Sequence, residues 1–250
     1  MLRTVTATRY VTPLREGGSL PAIMEADDDG LYVVKFHAAG QGPKALVAEV
    51  LAGEIGRRLG FLVPELVVVD MDIALAAAEP DPEIRELLER SAGLNAGLDY
   101  LPGALPYRPR VDPAPSPELA ADVVWFDALI TNIDRTPKNP NLLVWHGRPW
   151  LIDHGAALYV QHTWRDPAAH ARRGFPQAKD HILLPAAGSI PDADARLAGR
   201  IDRAFLDEVL AAIPDAWLAD PRDAYADYLM TRLEAPRPFV EEVERARTAA

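Results

Sequence analysis

The alternation of apolar and polar positions divides the chain into a strand-rich first part and a helix-rich second part. Val5 to Val11 is rich in β-branched side chains, Ala22 to Glu25 makes a second short run, and Leu31 to Phe36 makes a third. Arg15 to Pro21 reads as a turn. Asp27-Asp28-Asp29-Gly30 is a hairpin signal, because Asp and Gly accept the positive φ of a tight turn. The period then changes. Leu46, Val47, Val50, Leu51, Ile55 and Leu59 recur at helical spacing and predict a helix over 43–59, with Gly60 as its stop. On a helical wheel Glu54 falls inside that apolar stripe and Glu49 lies nearly opposite, so Glu54 is expected to face inward.

Further along, Val63 to Asp70 and Gly97 to Leu101 read as strands, and Asp81-Pro82 caps a helix running to about Arg90. Six prolines between Pro102 and Pro117 predict a stiff connector without regular structure, and a boundary between two units, 1–101 and 102–250. Ser116-Pro117-Glu118 then opens a helix carrying Leu119, Val123, Phe126 and Ile130. Leu142 to Trp145 and Pro149 to Ile152 predict a hairpin turning at His146-Gly147-Arg148. Three helices are expected after it, over 194–213, 221–233 and 238–247.

Composition narrows the functional classes. The chain has 250 residues, 49% of them hydrophobic, enough for a sizeable core. It contains no cysteine, which removes disulfides, thiolate metal sites and thiol nucleophiles. A net charge of −11 argues against bulk nucleic-acid binding. No apolar run approaches the roughly 18 residues of a membrane span, and no signal-peptide core follows Met1, so a cytoplasmic location is expected. Against this acidic background His162, Arg165, His170, Arg172, Arg173, Lys179 and His181 form a local basic stretch suited to a phosphate or acidic substrate, or to a solvated loop.

The chemistry concentrates after the helix of Ser116. Asp134 is followed five residues later by Asn139, and Asp153 stands near a glycine at the end of the hairpin. Two carboxylates and an amide at this spacing suit phosphoryl transfer: one acid near the attacking hydroxyl, and hard oxygens for magnesium. Pro137 and Pro140 keep the loop out of helix, although Asp and Asn also serve as ordinary turn caps. Lys35 is the odd cation in an apolar strand, either solvated at an edge or meeting an anion. Gly17-Gly18-Ser19 upstream would let backbone N–H groups approach phosphates, without matching a phosphate-loop spacing.

Asn132-Ile133-Asp134-Arg135 through Asn139, Leu151-Ile152-Asp153-His154-Gly155, Lys35, and Glu49 through Glu65 together resemble the HipA-like branch of atypical serine/threonine kinases, and more distantly the phosphatidylinositol kinases. The resemblance covers about residues 15 to 160. It implies an α+β, bilobal, protein-kinase-like fold, with a small antiparallel-sheet lobe carrying one main helix and a mostly helical second lobe. It also implies ATP and magnesium between the lobes, Lys35 with Gly17, Gly18 and Ser19 on the phosphates, Asp134 as the catalytic acid or base, and Asn139 and Asp153 on the metal. Its register favours Glu49, not Glu54, as the partner of Lys35, and it places Asp99-Tyr100-Leu101 beside the adenine. The acceptor would be a protein Ser or Thr, or a lipid or small molecule. Two departures stand out. Thr136 occupies the place where these kinases usually carry histidine, which admits a pseudokinase that only binds nucleotide. The long N-terminal domain of the HipA toxin has no counterpart, so a minimal kinase domain without toxin or DNA-linked roles is expected. A metal phosphohydrolase using His154, His162 and the acids is the remaining alternative.

Overall fold

The computed structural model describes residues 2–14 and 20–249. Its first strand, β1 (Arg3–Pro13), is long enough to serve two neighbours. The half from Arg3 to Thr6 runs parallel to β4 (Leu66–Met71), and the half from Ala7 to Pro13 runs antiparallel to β2 (Ala22–Ala26). Two register shifts, at Ala7/Arg9 and Tyr10/Thr12, supply the bend between these roles. With β3 (Leu31–Lys35) and β5 (Gly93–Asp99) the strands close into a barrel in the order β1, β2, β3, β5, β4. The expected antiparallel sheet is therefore closed, and its β1–β4 pair is parallel.

The barrel interior is narrow. Val5, Met24, Tyr32, Val34, Val67, Val69 and Met71 fill it, and Ile84 and Leu88 of α2 (Pro82–Arg90) join the same cluster. Gly97 faces inward on β5, where a Cβ would stand 2.6 Å from Val69 Cγ2 and 2.8 Å from Val67 Cγ2. Only glycine fits there without displacing a branched neighbour.

The helix expected over 43–59 forms as α1 (Pro43–Leu59) and ends at Gly60 with φ of 96°. Its middle is buried on every side, against Leu66, Val68, Ala96 and Leu98 of the barrel and against Phe126 and other helical residues. Gly53 lets it approach β4, since a Cβ there would meet Leu66 Cδ1 at 2.6 Å. The second buried helix, α3 (Pro117–Leu129), is capped by Ser116 as the sequence predicts.

Two expectations need correction. The proline-rich connector contains a two-residue strand, β6 (Leu105–Pro106), which pairs with β7 (Leu142–Trp145) beside β8 (Arg148–Leu151). Edge position makes this possible, because the prolines there lose no inner ladder bond. The helix expected over 194–213 is two, α5 (Ile190–Leu197) and α6 (Arg203–Ala212), because Asp202 accepts from the Phe205 N–H and starts a new helix. The stretch between them and β8 also holds a short helix, α4 (Pro167–Ala171), and several 3-10 turns. Finally, α7 (Arg222–Leu233) and α8 (Pro238–Ala249) match their expected positions closely. No helix of the described residues is long and apolar enough to cross a membrane.

Candidate active site

Lys35 ends β3 on the face turned toward α1. Its Nζ donates to Glu49 Oε2 at 2.6 Å and to Asp153 Oδ1 at 2.5 Å. Glu49 is fully buried, and its Oε2 also accepts the His154 backbone N–H at 2.8 Å. Burial alone would push this carboxyl up, but the Lys35 charge and the neighbouring His154 side chain, whose Nδ1 lies 3.5 Å from Oε1, hold it at about 2. Burial likewise opposes the Lys35 charge, yet the Glu49 and Asp153 carboxylates prevail and hold the ammonium well above its ordinary value. Glu54, by contrast, lies at the edge of α1 with Arg57 at 3.6 Å. The helical-wheel expectation is overturned because α1 has no solvated middle: a helix buried on all sides makes the apolar stripe a poor guide to which acid faces the site.

Asp153 leaves β8 with φ of 57°, a left-handed turn that aims its half-exposed carboxylate at Lys35. Its Oδ1 is engaged, and its Oδ2 carries no hydrogen bond among the described residues. Asp134 shows the same division. Its Oδ2 accepts from Asn139 Nδ2 at 2.7 Å and Asn141 Nδ2 at 3.2 Å, leaving Oδ1 uncommitted among the described residues. Asn141 also reaches the backbone oxygens of Asp134 and Asp153, each at 3.5 Å, and so stands between the two acids. Hydrogen bonds between the Thr136 and Asn139 backbones, in both directions, make the intervening turn, and the Thr136 hydroxyl accepts from the Asn139 N–H at 3.3 Å.

Beneath this loop lies a sealed ion network. Asp127, fully buried on α3, accepts from Arg135 Nε at 2.5 Å, from His181 Nε2 at 2.9 Å and from Asn132 Nδ2 at 3.0 Å. The Leu183 N–H donates to His181 Nδ1, so the ring proton sits on Nε2, facing Asp127. Burial favours a neutral Asp127, but Arg135 and His181 outweigh it and hold the carboxyl far below its ordinary range. Asn132 and Arg135 extend the anchoring upward: Asn132 Oδ1 accepts the Asp134 N–H at 3.2 Å, and Arg135 Nη1 donates to the Asn141 carbonyl.

Lys35, Glu49 and Asp153 are thus brought into direct contact, and Asp134, Asn139 and Asn141 form the adjoining cluster. Gly17, Gly18 and Ser19 lie outside the described residues. The Asp99 and Tyr100 N–H groups are already engaged, by the Glu65 and Leu31 carbonyls at 2.8 Å each. Within the basic stretch only His181 is buried, on Asp127; His170 meets the Tyr228 hydroxyl, Arg172 pairs with Glu234 at the surface, and Arg165, Arg173 and Lys179 are exposed. Among the described residues, no three His, Cys, Asp or Glu side chains stand as a metal-binding group, which a phosphohydrolase centre of the kind considered would need. Sequence reasoning missed Asp127 and Asn141. The signal for Asp127 was an acid inside an apolar helix; for Asn141 there was only the repeated Asn-Pro-Asn, which does not say which amide turns inward.

Residues 8–237 match the family model described as HipA-like kinase. Among solved structures, the chain is similar to the Helicobacter pylori proinflammatory kinase CtkA, with a TM-score of 0.62 and 13% identity over 100% of this chain and 99% of that one. At that identity the likeness establishes the fold alone. No curated protein matches in sequence. A match over nearly the whole chain, joined to an α+β fold shared with a kinase, places this protein in the HipA-like kinase family.

Proposed function

We infer that the protein is an ATP- and magnesium-dependent kinase that transfers the γ-phosphoryl group to a Ser or Thr hydroxyl of another protein. In this reading residues 1–101 and 102–250 are the two lobes of a kinase-like fold, the nucleotide lies between them, and the enzyme works in the cytoplasm. The observation that carries it is Lys35 Nζ held between Glu49 and Asp153, far apart in sequence but within 2.6 Å of it in space.

The donor set fits the cation. Asp153 Oδ2 and the amide oxygens of Asn139 and Asn141 are hard, uncommitted ligands, and magnesium ordinarily takes one or two carboxylates with the remaining positions filled by phosphate and water. Asn139 and Asp153 are the residues that would hold it. When bound, magnesium neutralises charge on the transferring phosphoryl group. The chain's own residues supply the rest. Lys35 places its ammonium against the phosphates, and Glu49 fixes the direction of that side chain. Asp134 presents Oδ1 to the acceptor hydroxyl, orienting it and receiving its proton, while two amide donors fix Oδ2. Positioning and charge neutralisation, rather than covalent chemistry by the protein, carry such a transfer.

Radiolabelled γ-phosphate transfer to a protein acceptor, measured beside nucleotide binding, tests this. Asp134→Asn should lower turnover by at least about a hundredfold with nucleotide binding retained, and Asp153→Asn should weaken binding of the magnesium nucleotide. Unchanged transfer in both variants would sink the assignment. Nucleotide binding by the native chain with no transfer or hydrolysis would favour the pseudokinase reading, for which Thr136 is the specific ground.

A further inference from the structure

A second cavity opens where β5 leaves the barrel, about 410 Å³ in volume. That is within the range of ligand sites. Trp145 of β7 and Trp150 of β8 form one wall, their rings edge to face with centroids 5.2 Å apart, and Phe61 and Leu101 lie across from them. The walls are fixed. Trp145 Nε1 donates to the Pro102 carbonyl at 2.9 Å, and the Leu151 N–H donates to the Leu62 carbonyl at 2.8 Å, bolting β8 to the segment after α1.

Two acids, Asp99 and Glu65, also line it, joined by the Asp99 N–H to Glu65 carbonyl bond. Glu65 is answered by Arg3 at 2.8 Å. The Asp99 carboxylate has no hydrogen-bond or ion-pair partner among the described residues. Partial burial raises its pKa and the like charge of Glu65 raises it further, only partly offset by the Arg3 charge. The one cation of the lining, Arg57, is turned to the Val63 carbonyl at 3.1 Å and to Glu54. Aromatic faces beside a carboxylate without a direct partner are the surroundings that a guanidinium or ammonium on an apolar stem prefers: the rings attract the cation and cover its stem, and the acid pairs with its head.

We propose that this cavity docks an arginine or lysine side chain from a basic segment of a partner protein. The overall charge of −11 favours approach of such a segment. If the partner is also the phosphate acceptor, that link rests on the kinase reading; the docking itself does not.

The test is calorimetric titration of the full chain, without nucleotide, using a soluble octapeptide with two arginines among leucine and serine, and its counterpart with glutamate in place of arginine. The arginine peptide should bind saturably, Asp99→Asn should weaken it by roughly tenfold, Trp150→Ala should weaken it further, and the glutamate peptide should not bind. Asp153→Asn should leave it unchanged, which separates this site from the phosphotransfer centre. Asp99 is exposed at the rim, so its substitution leaves the fold intact. No binding of the arginine peptide overturns the proposal. So does equal binding of both peptides, an Asp99→Asn affinity within twofold of the native value, or loss of binding in Asp153→Asn.

Discussion

Two ion networks lie one above the other in this protein, and they are finished to different degrees. Around Asp127 every strong donor and acceptor is matched: Arg135, His181 and Asn132 converge on one carboxylate that water does not reach. Around Lys35 the matching stops short. Among the described residues Glu49 Oε1 is buried without a hydrogen bond, with His154 Nδ1 3.5 Å away, Asp153 is half exposed with Oδ2 uncommitted, and Asp134 nearby keeps Oδ1 in reserve. A closed network holds backbone in place; an open one has valences left for something that is not protein. The comparison teaches that charge burial alone does not mark a site of action, whereas charge burial with unused oxygens does.

If the lower network is purely an anchor, breaking it should unfold before it inactivates. Asp127→Ala leaves Arg135 buried without its counter-charge, and should destabilise the protein by about 3–5 kcal/mol, read from urea midpoints. A stable variant with lost turnover would reverse the two roles.

The upper network should show itself in the pH dependence of stability. Glu49 titrates in the folded protein at about 2, below its ordinary 4.5. Its ionised form therefore contributes stability that is fully present above 4.5 and is lost as pH falls through that value toward 2. The contribution is on the order of 3 kcal/mol. Urea midpoints followed from neutral pH down to about pH 3 should fall more steeply for the native chain than for Glu49→Gln. Parallel slopes would mean that the Lys35–Glu49 contact does not persist in solution.

The smallest expected effect lies between the networks. Asn141→Ala removes one of two donors to Asp134 and the bridge toward Asp153, and should lower kcat by roughly tenfold with little change in KM for nucleotide. Asn139→Ala removes the other donor and should, in addition to lowering kcat, raise the magnesium concentration needed for half-maximal rate. Identical effects from the two variants would erase the distinction between orienting an acid and holding a cation.

Much of this was legible in the chain itself, for reasons that differ by element. Capping residues announced α2 and α3 because Asp81 and Ser116 act on N–H groups two or three residues away. The hairpin of β7 and β8 followed from two apolar runs joined by a tight turn, Lys35 stood out as a cation in an apolar strand, and Asp134, Asn139 and Asp153 stood out by their spacing. Less legible was anything set by a distant neighbour. One local cap was also missed, at Asp202 between α5 and α6, because a helical pattern of apolar positions runs across it. Closure of the barrel depends on β1 reaching β4 some sixty residues away.

The sequence by itself determined the inventory: which segments are strands and helices, which charged side chains lack an obvious apolar reason, and how Asp134 and Asn139 are spaced. Only the tertiary structure decided the assignments, that Glu49 and not Glu54 meets Lys35, that Asp127 rather than solvent answers Arg135, and that Asn141 stands between the acids. Local pattern records how a residue relates to its near neighbours along the chain. Which opposite charge it meets depends on how separate elements pack, whether 14 residues apart as for Lys35 and Glu49 or 118 as for Lys35 and Asp153, and no periodicity carries that information.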